Sequence, residues 1–135
     1  MGTHQSFTAR VESRNGVTII AMGGELDMAS VPTLREHLMQ VEGEGPGVIL
    51  ADLRDLNFID SSGLGALLEA NKRSELNGHR FFTVGASPAA RRLFQITGTE
   101  HLLDDKDAVR FLDRFTRGQT GGQDRTRTAR VDADA

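Results

Sequence analysis

Apolar and polar positions change rhythm several times along the chain, and each change marks an element. Phe7, Ala9 and Val11 alternate with Thr8, Arg10 and Glu12, the period of a strand with one buried face. Asn15-Gly16 follows, a dipeptide suited to a tight hairpin turn. From Val17 to Met22 nearly every position is apolar, which predicts a strand buried on both faces. Gly23-Gly24-Glu25-Leu26-Asp27 is expected to break that strand. Val31, Leu34, Leu38 and Val41 then make one helical stripe, with Ser30 as its N-cap and Pro32 in the first turn. Gly43, Gly45, Pro46 and Gly47 end this helix in a loop.

Val48 to Leu53 is a short apolar run holding a single acid, Asp52, and reads as a central strand. Leu64, Leu67, Leu68 and Leu76 share a helical face that Asn77-Gly78 closes. Phe81 to Val84 predicts another strand, and Ser87-Pro88 opens a third helix through Leu93, Phe94 and Ile96, closed by Gly98. His101 to Leu103 is expected to form a short last strand. Asp104, Asp105 and Asp107 place negative charge before a fourth helix with the stripe Ala108, Phe111, Leu112 and Phe115. Strands separated by helices imply right-handed crossovers and a parallel core, and the first hairpin adds an antiparallel pair. The expected fold class is α/β, a mixed β-sheet of four to five strands with four helices packed on it.

The division along the chain follows from the tail. After Phe115 the only large apolar residue is Val131, among Gly, Gln, Thr, Asp and Arg. Residues 1–115 are therefore read as one folded domain and 116–135 as a disordered polar tail, unable to bury enough apolar area to offset its ordering entropy.

Composition then removes whole classes of function. The net charge of −3 does not suggest a nucleic-acid partner. No apolar run has membrane-spanning length, and no secretory signal opens the chain. With no cysteine in 135 residues, disulfides, thiolate metal sites and a Cys nucleophile are excluded, which suits a cytoplasmic location. The four histidines, His4, His37, His79 and His101, are too scattered for metal spacing. Ile59 and Asp60 stand where a G-x-S-x-G elbow around Ser61 or Ser62 needs glycine. Gly63-x-Gly65 begins like a dinucleotide fingerprint, but Leu68 occupies the third small position. No catalytic constellation, metal site or cofactor is expected.

The joint between the third strand and the second helix carries the remaining chemistry. Asp60, Ser61 and Ser62 stand together where a helix N-terminus offers orphan N–H groups and a positive dipole end, suited to an added anion. Gly63 and Gly65 fall in the first turns, where each costs up to about 1 kcal/mol relative to Ala. That cost suggests that something approaches the backbone closely, and Gly63 is the position expected to admit it.

Asp60-Ser61-Ser62-Gly63-Leu64-Gly65 resembles the signature of the STAS domain, in particular of bacterial anti-sigma factor antagonists. Gly24-Glu25-Leu26-Asp27, Asp52-Leu53 through Phe58-Ile59, and Ser87 to Phe94 resemble further family motifs in the same order. The resemblance runs from about Phe7 to Phe115. It implies a STAS-like fold and a partner-switching regulator rather than an enzyme. The unphosphorylated form would bind an anti-sigma factor that is also a GHKL-type serine kinase, releasing a sigma factor. Phosphorylation at Ser62 would end the complex, and a PP2C-type phosphatase would reset it. Asp60, Ser61, Gly63 and Leu64 would be the contact surface, with Asp27 on the neighbouring loop. The alternative is a STAS module acting as a scaffold or accessory in a stress-sensing or transport system.

Overall fold

The computed structural model describes residues 6–45, 47–103, 106–117 and 125–131. In chain order the elements are β1 (Phe7–Arg14), β2 (Val17–Leu26), α1 (Val31–Glu42), β3 (Val48–Ile59) and α2 (Ser61–Asn77). They continue with β4 (Arg80–Val84), α3 (Pro88–Ile96), α4 (Lys106–Arg117) and β5 (Arg125–Val131). The strands make one sheet in the order β4-β3-β2-β1-β5. β1 is antiparallel to both β2 and β5, whereas β2–β3 and β3–β4 are parallel. The mixed α/β sheet with four helices expected from the periodicity is the fold observed.

Burial explains why β2 and β3 are apolar at successive positions. Ile20 and Met22 of β2, with Ile49, Ala51 and Leu53 of β3, join one core with α1, α2 and α3. Val17, Ile19 and Leu50 join a second core with Ala108, Phe111 and Phe115 of α4. Each central strand is therefore covered on both faces along part of its length. The stripe Val31, Leu34, Leu38 and Val41 of α1 is buried as the sequence predicts. Asp52, only 6% exposed, is matched by a fork from Arg54, Nε to Oδ1 at 3.0 Å and Nη2 to Oδ2 at 2.7 Å. Those hydrogen bonds, and secondarily the carboxylate charge, hold the Arg54 guanidinium above its ordinary pKa.

Several local expectations are corrected. β2 does not break at Gly23-Gly24. It continues to Leu26 by pairing with β3, and irregularities between Ala21 and Gly23 and between Gly24 and Glu25 absorb the change of register. A Cβ at Gly23 would lie 2.8 Å from Thr8 Oγ1, so glycine permits the strands to close there. His101 lies in a 3-10 turn, Glu100–Leu102, and only Leu103 bridges the sheet, at Thr83. Leu76 and Ile96 are 77% and 74% exposed, because each lies in the last turn of its helix, beyond the layer that the earlier residues bury.

The largest correction concerns the tail. Residues 116 and 117 continue α4, and 125–131 form β5 along the edge of β1. Poor apolar content argued for disorder, but an edge strand gains a backbone ladder that does not depend on side-chain burial. Asp104, Asp105 and the 118–124 and 132–135 parts of the expected tail lie outside the described residues. Among the described residues no helix is long and apolar enough to cross a membrane.

Candidate functional site

The sheet brings two loops of the predicted site to one pole. Leu26 and Ile59 are registered partners at the ends of parallel β2 and β3. Asp27 and Asp60, each one residue further on, therefore leave neighbouring strands that run about 5 Å apart. Carboxyl ends of parallel strands are where open α/β sheets present their sites. Asp60 N–H donates to Leu26 O at 3.2 Å, which ties the two exits together.

Asp60 is the N-cap of α2. Its backbone is extended, and its Oδ1 accepts the Gly63 N–H at 2.9 Å. The cap thus needs neither serine. Ser61 and Ser62 occupy the first two helical positions, Ser61 exposed and Ser62 half-buried. Neither hydroxyl is hydrogen-bonded among the described residues. A hydroxyl at the second helical position lies beside orphan N–H donors and the positive dipole end, so it can carry a doubly charged group without opposing the helix.

Asp27 is committed to its own loop. Its Oδ1 accepts from Ala29 N at 3.0 Å and Ser30 N at 3.2 Å. Ser30, predicted as the N-cap of α1, makes no side-chain cap bond to that helix. Its buried hydroxyl accepts from Asp27 N at 2.9 Å and donates to Glu25 O at 3.1 Å. Together they form a fastened turn that fixes the half-exposed Asp27 carboxylate beside the α2 start.

Gly63 and Leu64 are placed differently from the contact surface expected of them. Leu64 is 2% exposed, inside the main core. Gly63 is buried, and a Cβ there would lie 2.7 Å from Leu26 Cγ and 2.8 Å from Leu26 O. Both residues are therefore buried behind the helix start, Gly63 against Leu26 and Leu64 in the core. Gly65, by contrast, has nothing within 4 Å of its virtual Cβ, so it is the glycine that leaves backbone approachable.

Two apolar side chains at this pole escaped the sequence reading. Met28, next to Asp27, is 76% exposed, and Phe58, the registered partner of Glu25, is 50% exposed. The available signal was position: each lies at or beyond the end of an apolar run, beside a site acid. A small cavity of about 120 Å³ adjoins Phe58, bounded by Leu56, Ile59, Ser87 and Ala90. The larger cavity, about 410 Å³, lies at the opposite pole against the Asn15-Gly16 turn and His79.

His37 and His79 contact the carbonyls of Thr33 and Gly45, away from Ser62. Among the described residues no group of three or more His, Asp or Glu side chains could hold a metal ion. What the arrangement brings together is the half-buried Ser62, the Asp27 and Asp60 carboxylates, and the exposed apolar side chains of Met28 and Phe58.

Comparison with known proteins places this geometry. Residues 8–111 match the STAS domain family. The anti-sigma-B factor antagonist of Staphylococcus aureus is 34% identical over 84 residues, covering 62% of this chain and 78% of that protein. The anti-sigma factor antagonist of Mycobacterium paratuberculosis superposes with a TM-score of 0.71 at 27% identity, over 84% of this chain and 99% of the other. The Bacillus cell fate determinant SpoIIAA in its phosphorylated form superposes at 0.59 with 26% identity, over 76% and 97% of the two chains. On the match across its folded region and the signature at the start of α2, the chain belongs to the STAS domain family.

Proposed function

We propose that the chain is a cytoplasmic anti-sigma factor antagonist that works by partner switching. Unphosphorylated, it captures an anti-sigma factor that is also a GHKL-type serine kinase, and a sigma factor is released. The kinase then transfers the γ-phosphoryl group of ATP to Ser62 Oγ; the P–O bond to the leaving ADP breaks as the new ester bond forms, and the hydroxyl proton goes to a base on the kinase. A PP2C-type phosphatase hydrolyses the ester and resets the cycle. The relatives' names support the antagonist role, and the relative solved in a phosphorylated form supports modification. The observation that carries the reading is that Asp60 caps α2, leaving the hydroxyl of Ser62 uncommitted at an accessible helix start.

Asp27, Asp60 and Ser61 frame the docking surface on this reading, with Met28 and Phe58 as its apolar contacts. Gly65 is the position where the partner comes close to the backbone. Gly65→Ala is therefore expected to stabilise the isolated protein by about 0.5–1 kcal/mol, the helix-propensity difference at an unobstructed site. The same variant should bind the anti-sigma factor more weakly. Urea denaturation and titration calorimetry read the two effects separately, and unchanged affinity would remove Gly65 from the surface.

The test of the reading is incubation with candidate GHKL-type kinases and ATP, followed by phosphosite mapping. Ser62 is expected to carry the phosphate, and Ser62→Ala to remain in the captured state. Phosphate found only at other residues, or capture by none of the kinases, would overturn the assignment. A scaffold or transport-accessory role would leave Ser62 unmodified while the chain recovers a different partner.

A further inference from the structure

We infer that the cleft beside Phe58 is a socket for one branched aliphatic side chain of the anti-sigma factor, carried on a basic surface; this rests on the docking pole proposed above. Its origin lies in the sheet. β4 pairs with β3 only from Val48↔Arg80 to Asp52↔Val84, whereas β3 runs on to Ile59. Beyond Val84 the chain turns at Gly85, φ 75°, and enters α3 instead. The step between the long strand and the helix start has Leu56, Phe58 and Ile59 as one wall and Ser87, Ala89 and Ala90 as the other. Ala89 and Ala90 are too short to fill it.

The walls select the occupant. The cleft encloses about 120 Å³, well below the roughly 300–1,000 Å³ of a small-molecule site with its converging polar groups. An apolar cavity of about 150 Å³ holds one benzene, so this one takes a single aliphatic side chain. Ser87 Oγ already accepts the Ala90 N–H at 3.1 Å as the cap of α3, and among the described residues no charged side chain lines the cleft. Apolar walls with a satisfied hydroxyl favour an apolar anchor, the kind of contact that dominates docking. Position and charge decide whose anchor it is. Ile59, in the wall, is followed directly by Asp60, Ser61 and Ser62, so a kinase whose active site reaches Ser62 covers the cleft as well. Asp55 precedes Leu56, Glu25 is registered with Phe58, and Asp27 lies one residue beyond Leu26, the partner of Ile59. With Asp60 these make four acids. Arg54 is forked onto Asp52, and Arg91 and Arg92, just beyond Ala90, offset only part of that charge. A partner with a basic surface complements the excess, whereas a second copy would bring the same excess with it.

Filling the cleft tests this. Ala89 is exposed in the first turn of α3, so Ala89→Leu closes the space from its rim. Against the anti-sigma factor kinase captured by the wild-type chain, titration calorimetry is expected to read a loss of affinity of about tenfold or more. Gln95→Leu, at an exposed position near the other end of the same helix, should bind as the wild type does, and thermal unfolding should show both variants folded. Methyl-labelled wild-type protein gives a readout without substitution. The Ile59, Ala89 and Ala90 methyl signals should shift when that kinase is added, and those of Ile96, the last residue of α3, should not. Unchanged affinity of Ala89→Leu while its Ser62 is still phosphorylated would overturn the socket and leave the switch standing. Equal losses in the two variants, or unmoved cleft methyls in the complex, would overturn it too. Cleft methyls that shift when the chain alone is concentrated would assign the cleft to a second copy instead. Capture of no kinase by the wild type would overturn the socket together with the switch.

Discussion

Ser62→Asp is expected to weaken capture of the anti-sigma factor about a thousandfold, equivalent to about 4 kcal/mol, while the fold keeps its stability. Two opposite effects of one charge produce that split. Within the free protein, residue 62 is the second position of α2, where a carboxylate meets the positive end of the helix and gains about 0.3–1 kcal/mol. The fold therefore tolerates the change or is slightly stabilised by it. At the docking surface the same charge is added beside Asp60, whose Oδ1 is already held by the Gly63 N–H, and near Asp27 on the adjoining strand end. A partner whose surface complements the unmodified pole then faces an added anion, and like-charge or unpaired contacts in an interface cost several kcal/mol. A phosphoserine, with a charge of roughly −1.5 to −2, would act in the same direction and more strongly. Titration calorimetry against the cognate anti-sigma factor reads the loss, and thermal unfolding of the isolated variant reads the fold. Equal affinity for wild type and Ser62→Asp would sink the switch. A large loss of thermal stability would instead mean that the charge acts by disturbing α2.

The elements that sequence reasoning located are those set by neighbours in the chain. The alternation Phe7, Ala9, Val11 is buried as predicted. Asn15-Gly16 turns with both residues at positive φ, 54° and 79°. Gly78 ends α2 in the left-handed conformation. The grouping of Asp27 with Asp60 was also legible, through family resemblance, and the parallel register of β2 and β3 is its physical cause. What escaped depends on distant partners. Gly23-Gly24 looks like a break until β3 lies alongside it. β5 looks like a polar tail until the β1 edge offers it main-chain partners. The roles of Gly63 and Gly65 are indistinguishable by spacing, because only the position of Leu26 on another strand decides which one is confined. Assigning the cap to Asp60 likewise required the geometry that leaves both serines uncommitted.

That confinement makes Gly63→Ala the most damaging small change at the site. In an open helix the substitution would help by about 1 kcal/mol through propensity. Here the new methyl would stand 2.7 Å from Leu26 Cγ, 2.8 Å from Leu26 O and 3.0 Å from Ile59 Cγ1. The side-chain contacts have little room to yield, since Leu26 is fully buried. The carbonyl contact is firmer still, because Leu26 O accepts the Asp60 N–H and Leu26 is registered with Ile59 in the sheet. Overpacking of this kind costs about 1–3 kcal/mol, and a backbone obstacle places this site at the upper end. After the propensity gain, a net loss of about 2 kcal/mol remains. That is a large share of a domain stability of roughly 5–15 kcal/mol, and it should lower the melting temperature by several degrees. The α2 start must move away from β2 to accept the methyl, so Ser62 should also become a poorer phosphate acceptor, even at temperatures where the variant is folded. Thermal unfolding of Gly63→Ala beside Gly65→Ala is the decisive comparison, because two glycines two residues apart are expected to respond with opposite signs. If both variants were stabilised, Gly63 would not be held against β2, and the rigid seat assigned to Ser62 would be lost with it.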